Sequence, residues 1–138
     1  IYTPFHACLD EQLALAAGAG LRPMLVTIHS FNPTWHGQPR TVQLGLLHDS
    51  DSRLADAMLP RAEAITGLRT ERNQPYGPGD GVTHTLQRHA LPAGLANVMI
   101  EIRNDLIAAP GSQQRVADGL ADLILRAGAM LSDGRHGA

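Results

Sequence analysis

Short apolar runs that alternate with helix-periodic segments constrain the fold of this chain more than any other feature. Residues 24–30 and 97–103 are such runs, with the length and apolar content of strands buried on both faces. Between them, residues 53–66 place apolar side chains at helical spacing, and Gly67 closes that segment. The alternation predicts an α/β fold with a mixed, largely parallel sheet flanked by helices, in one domain over residues 1–138.

Weaker signals complete the predicted order of elements. Thr3 as N-cap and Pro4 in the first turn predict a helix that ends near Gly18. Other predicted elements are strands at 41–47 and 68–71, loops at 31–40 and 74–81, helices at 83–89 and after Pro110, and a frayed tail at 133–138.

Composition excludes several classes of function. The net charge is −2, and all eleven basic residues are Arg scattered along the chain, which argues against nucleic acid as a partner. Cys8 is the one cysteine; it excludes an internal disulfide and a Cys-rich zinc site, and we expect it to be packed within its helix. The sequence contains no bilayer-spanning run or signal-peptide pattern, so we expect a cytoplasmic protein without membrane contact.

Two predicted strands end in side chains that can do chemistry. His29 ends the first run, and Glu101 lies in the last. If these strands are parallel neighbours, both side chains meet at one rim of the sheet, where ligands bind in open α/β folds. An imidazole and a carboxylate are what metal-assisted hydrolysis requires. Two plainer interpretations stay open: His29 reaches into solvent, and Glu101 forms an ion pair with Arg103.

The remaining histidines are weaker candidates. His36 and His48 lie in loop or turn sequences and are expected at the surface, and His136 lies in the tail. His84 and His89 are five residues apart, whereas two ligands on one α-helical face are usually four apart. The Gly-rich segment at 77–81 lacks the preceding strand, the following helix and the Lys or Ser/Thr of a phosphate loop. It is more typical of a mobile lid.

Several segments resemble the N-formylglutamate amidohydrolase family, in the family's order. His29-Ser30-Phe31 followed by Pro33 resembles its His-Ser-Phe-x-Pro segment, and residues 73–76 resemble its Asn-x-Pro-Tyr loop. Residues 101–107 match its Glu-Ile-Arg-x-Asp-Leu-Ile signature, and residues 2–6 resemble the end of its Tyr-His-x-x-Tyr-His segment. Residues 80–83, with His84 and His89 nearby, resemble a further stretch of the family.

The resemblance implies a fold similar to zinc carboxypeptidases and hydrolysis of N-formyl-L-glutamate, a small N-acyl amino acid, to formate and L-glutamate. It implies Zn²⁺ as cofactor, His29 as a zinc ligand, and Glu101 as the general base toward a zinc-bound water. Candidates for binding substrate are Arg40, Asn73, Tyr76, Thr83 and Arg103. Alternatives stay open for four of them: Arg40 in solvent, Arg103 in a structural ion pair, and Asn73 and Tyr76 as turn residues.

One departure from the family is large. Its members are roughly twice as long, and their N-terminal half carries the other zinc ligands, whereas this chain starts at Ile1 and resembles only the C-terminal part. The chain alone is therefore expected to be inactive if that half is absent. Alternatives are a non-catalytic α/β ligand-binding or subunit domain without the metal, and a zinc hydrolase for another N-acyl amino acid.

Overall fold

A four-stranded sheet with helices on both faces forms the centre of the molecule. The computed structural model describes residues 1–133. The helices are α1 (Tyr2–Gly18), α2 (Arg53–Thr66) and α3 (Pro110–Asp133). The strands are β1 (Leu25–Phe31), β2 (Thr34–Trp35), β3 (Gln38–Pro39), β4 (Leu44–Leu47), β5 (Thr70–Arg72) and β6 (Asn97–Arg103). Short 3₁₀ turns span Pro78–Asp80 and Asn104–Ile107, and a π-helical turn spans Leu86–Ala90.

The sheet has the strand order β1-β6-β4-β5. β1 pairs with β6 in parallel, β4 pairs with β5 in parallel, and β4 pairs with β6 antiparallel. The predicted mixed, largely parallel α/β fold is thus confirmed. Because β6 has a neighbour on each side, six of its seven residues are buried, which explains why residues 97–103 form so continuous an apolar run.

The two faces of the sheet are covered by different elements. On one face α2 and α3 pack against alternate residues of β6, including Val98, Ile100 and Ile102, in the main hydrophobic core. The opposite face carries Met99 and is covered by part of α1 and by the π-helical turn. Glu101 follows Met99 at the two-residue period of a strand, so its side chain belongs to this second face.

Three expectations about local structure were wrong in detail. β1 is an edge strand with Ile28 59% exposed, rather than a strand buried on both faces. α1 begins at Tyr2, so Thr3 is not its N-cap, and it buries only His6. Cys8 is exposed because α1 lies at the surface and touches the core through Leu9 and Leu13.

The segments after β1 and at the end of the chain also differ from expectation. The predicted loop at 31–40 contains the small antiparallel hairpin of β2 and β3. In the predicted tail, Asp133 is the last residue of α3, and residues 134–138 lie outside the described part of the chain. Within residues 1–133, no helix is long and apolar enough to span a membrane.

Candidate active site

His29 and Glu101 lie side by side on neighbouring strands. They are direct register partners in the parallel pair of β1 and β6, so both side chains project from the same face of the sheet. This confirms the predicted juxtaposition of the two residues. Their environments differ, because β1 is an edge strand and β6 is central: His29 is exposed, whereas Glu101 is only 4% exposed.

The Glu101 carboxyl group is buried without full hydrogen bonding. Its Oε2 atom has no hydrogen-bond partner among the described residues. Burial raises the pKa of Glu101 above its ordinary value, and the positive charge of Arg40 partly opposes this rise. A buried carboxyl with a raised pKa and an oxygen without a hydrogen-bond partner has the properties of a candidate acid–base group.

Arg103 does not neutralise Glu101. Its guanidinium pairs with Asp105, with Nε 2.8 Å from Oδ1, and its Nη1 donates a hydrogen bond of 3.0 Å to the carbonyl oxygen of Arg40. The interpretation of Glu101 and Arg103 as an ion pair was therefore wrong. Arg103 is engaged in a structural ion pair with Asp105 and also fixes the backbone of Arg40.

The Arg40 side chain is held among aromatic rings. Its guanidinium carbon lies 5.5 Å from the ring centre of Phe31, 5.1 Å from Trp35 and 5.0 Å from Tyr76, within the range of cation–π attraction. Its Nη1 also donates to the Tyr76 hydroxyl oxygen at 3.2 Å and to the Asn32 carbonyl oxygen at 3.4 Å. Arg40 is half-buried and oriented by these contacts, so it is not a loop side chain free in solvent.

A cleft of about 620 Å³ opens beside Arg40. Trp35, on the hairpin of β2 and β3, forms part of one wall, and Gln74 with Tyr76 forms part of another. His29 and Glu101 do not line this cleft, but Arg40 connects the two regions, since it lines the cleft and its charge acts on Glu101. The cleft has room for a small polar ligand whose anionic end would meet Arg40.

Asn73 and Thr83 serve the framework around this cleft. The Asn73 Oδ1 atom accepts a hydrogen bond of 2.9 Å from the backbone N–H of His48, and Asn73 adopts φ +48°. Thr83 is fully buried and donates a hydrogen bond of 2.8 Å to Asp49. Hydrogen bonds from Gln87 and then Thr83 lower the pKa of Asp49. These contacts anchor both ends of the segment that carries Tyr76.

No group of three or more His, Cys, Asp or Glu side chains within residues 1–133 is arranged to hold a metal ion. His29 forms no hydrogen bond or ion pair with another described side chain, so its imidazole is free to act as a ligand. A catalytic zinc takes three protein ligands and keeps one open position. The described residues thus fit one ligand of such a set and do not complete it.

A histidine cluster on α1 and the π-helical turn was missed in the sequence. The His89 Nδ1–H donates to the Asp10 carboxylate at 2.8 Å, which leaves His89 Nε2 to accept from His6 Nδ1–H at 2.6 Å. The His84 Nε2 atom lies 2.7 Å from the Tyr2 hydroxyl. A π-helical turn is wider than an α-helical one, and His84 and His89, five positions apart, both lie against His6. The four-residue spacing expected on one face of an α-helix does not predict this geometry.

This cluster predicts that the protein loses stability in mild acid. Burial, followed by the charges of Arg88, His89 and His84, lowers the pKa of His6 below 6.5, and Asp10 acts in the opposite direction. The unfolded chain therefore binds the proton first, and stability falls as pH drops below about 6.5. Thermal unfolding of the full-length protein between pH 8 and pH 5 should show this fall, and His6→Gln should make it shallower. An unchanged pH dependence in His6→Gln would contradict the assignment.

Comparison with known proteins identifies a family and a similar solved structure. The chain is a mixed α/β protein with a buried carboxyl group at one strand and an imidazole beside it. The sequence model described as N-formylglutamate amidohydrolase matches residues 1–108. A crystal structure of the gene product Atu2144 from Agrobacterium tumefaciens is similar, with a TM-score of 0.84 and 52% sequence identity. No curated protein matches the chain.

The chain belongs to the N-formylglutamate amidohydrolase family, a family of hydrolases. The match to the Agrobacterium tumefaciens structure covers 98% of this chain and 52% of that one. The chain therefore spans about half the length of the solved structure that it matches.

Proposed function

We propose that this chain forms part of a metal-dependent amidohydrolase that cleaves the formyl amide of N-formyl-L-glutamate to formate and L-glutamate. One observation carries the proposal: the buried, incompletely hydrogen-bonded carboxyl of Glu101 lies in register with the free imidazole of His29. Membership of the N-formylglutamate amidohydrolase family supports the choice of reaction and substrate.

In this proposal His29 is one ligand of a catalytic zinc ion. Imidazole is a common zinc ligand, and His29 is exposed at the edge of the sheet. The other ligands would lie outside residues 1–133, because the described residues contain no complete set. When bound, zinc polarises a carbonyl group and lowers the pKa of water.

Glu101 acts as the general base and then as the general acid. Its carboxylate accepts a proton from the water whose oxygen attacks the formyl carbon. The same proton passes to the amine nitrogen as the carbon–nitrogen bond breaks, which gives formic acid and the neutral amine of L-glutamate. The acidic proton of formic acid then passes to that amine, so formate and L-glutamate with an ammonium group leave with atoms and charge balanced. The raised pKa makes the Glu101 carboxylate a stronger base toward water than an ordinary carboxylate, and its protonated form can then donate to the amine.

Arg40 binds a carboxylate of the substrate, and Tyr76 orients Arg40. The guanidinium already has three aromatic rings around it, so it is positioned before substrate arrives and loses little freedom on binding. Direct contact of Asn73, Thr83 and Arg103 with substrate stays a prediction. Their side chains are engaged with His48, Asp49 and Asp105, which favours a role in holding the site together.

Formate release by the full-length, zinc-loaded protein tests the proposal. We expect turnover of N-formyl-L-glutamate, with N-acetyl-L-glutamate and N-formyl-L-leucine as comparison substrates. Faster turnover of either comparison substrate would favour a hydrolase for another N-acyl amino acid. Binding of N-formyl-L-glutamate without turnover would favour the non-catalytic alternative, for which the incomplete ligand set of the described residues is the supporting observation.

A further inference from the structure

Gly45 stands directly opposite Glu101 in the sheet. The two residues are register partners in the antiparallel pair of β4 and β6, and directly opposed residues of such a pair project from the same face. A side chain at position 45 would therefore stand beside that of Glu101, with about 5 Å between the two Cβ atoms. Glycine leaves this space to another group.

Backbone from a different part of the chain fills that space. A Cβ atom built at residue 45 would overlap the carbonyl oxygen of Gln74 and come within 3.1 Å of its carbonyl carbon, closer than ordinary Cβ contacts. The obstacle is backbone rather than the end of a flexible side chain, so it cannot turn aside. The Gln74 peptide thus lies on the face of the sheet that carries Glu101 and covers the strand next to it.

The covering peptide is tied to the surrounding structure through Asn73 on one side and Tyr76 on the other. Asn73, one residue earlier, is anchored by its N–H to the Leu46 carbonyl oxygen at 3.1 Å and by its side chain to His48. Tyr76, two residues later, bears the hydroxyl that accepts from Arg40. A displacement of Gln74 from the sheet would therefore uncover Glu101 and shift Tyr76 relative to Arg40.

We propose that Gly45 is a positioning residue for the reaction, because its lack of a side chain lets the Gln74 backbone cover the sheet beside Glu101 and seat Tyr76 against Arg40. The effect of Gly45 on catalysis rests on the proposed function. The placement of the Gln74 peptide over the sheet beside Glu101 does not depend on it. Gly45 and Gln74 are 29 positions apart, so the sequence around either residue gives no sign of their contact.

Gly45→Ala in the full-length protein tests the inference. The added methyl must push the Gln74 peptide off the sheet, so we expect roughly a 10²-fold loss in kcat/KM, with KM raised as well as kcat lowered. Amide hydrogens of residues 73–76 should also exchange faster, because displacement of the Gln74 peptide loosens the bond from the Asn73 N–H to the Leu46 carbonyl oxygen. A merely structural role for Gly45 would lower stability and leave KM near the wild-type value.

Asn73→Gly provides a second variant that introduces no overlap. It keeps the positive φ that residue 73 needs and removes the side-chain anchor to His48, so the cover loosens without a clash. We expect the same faster exchange of residues 73–76, with a smaller loss in kcat/KM. Gly119→Ala is the matched control, because its added Cβ would lie 3.3 Å from Thr66 on the opposite face of the sheet. It should lower stability and leave both KM and the exchange of residues 73–76 unchanged.

Hydrogen–deuterium exchange of residues 73–76 separates this inference from the proposed function. Exchange should be faster in Gly45→Ala than in the wild type, whether or not the protein hydrolyses N-formyl-L-glutamate. Unchanged exchange in both Gly45→Ala and Asn73→Gly would overturn the positioning role even if the wild type is active. Lack of turnover by the zinc-loaded wild type, together with the expected change in exchange, would overturn the proposed function and leave the cover established.

Discussion

Glu101→Gln should lower kcat by about 10²–10⁴-fold, the usual range for loss of a general acid–base group, with little change in KM. The amide has nearly the same shape as the carboxyl but cannot accept the proton from water. Stability should be unchanged or higher, because the substitution removes a group whose ionised form is costly to bury. Steady-state kinetics with thermal unfolding on the full-length, zinc-loaded protein measure both effects.

Glu11→Gln is the matched control for this experiment, since Glu11 is an exposed carboxylate on α1. It should retain wild-type kcat. If Glu101→Gln kept more than about a tenth of the wild-type kcat, the assignment of Glu101 as the acid–base group would be wrong. A large loss of stability in Glu101→Gln would instead point to a structural role for the carboxyl.

Arg40→Ala should raise KM and lower kcat/KM by roughly 10²-fold, because it removes a charge-assisted contact to the substrate carboxylate. It should also move the acid limb of the pH profile. The Arg40 charge lowers the pKa of Glu101, so its removal raises that pKa and shifts the ascending limb of kcat/KM to higher pH.

Arg40→Lys separates the two effects of this residue. Lysine keeps the positive charge but lacks the planar fork that binds a carboxylate with two hydrogen bonds and stacks on aromatic rings. We expect KM to stay raised while the acid limb returns toward the wild-type pH. Arg61→Ala, at an exposed position of α2, serves as the control. Wild-type KM in Arg40→Ala would contradict a substrate-binding role for Arg40.

Local pattern was enough to predict the elements that hold the reacting groups. Residues 97–103 form β6 with the expected bounds, since a central strand buries nearly every residue and so has a continuous apolar sequence. Parallel pairing of β1 with β6 was only the condition under which His29 and Glu101 would meet, and the structure shows that this condition holds. The burial of β1 did not follow, because an apolar run does not show whether its strand lies at the centre or the edge of a sheet.

Features of the site that depend on distant contacts could not be predicted. The Asp10–His89–His6 chain joins residues 79 and 83 positions apart, and the π turn that presents His89 departs from the usual helical period. In the sequence Gly45 is simply a glycine within an apolar strand, and only the structure shows that the Gln74 peptide lies against it. Composition and periodicity report local structure and burial, whereas these contacts depend on how separate segments pack together.

Zinc content of the purified full-length protein, measured by mass spectrometry for the wild type, His29→Ala and Glu101→Gln, tests the central claim most directly. The account predicts about one zinc per chain in the wild type and in Glu101→Gln, and its loss in His29→Ala. His84→Ala, which alters a histidine hydrogen-bonded to Tyr2, should keep its zinc. Full zinc content in His29→Ala, or none in the wild type, would contradict the account.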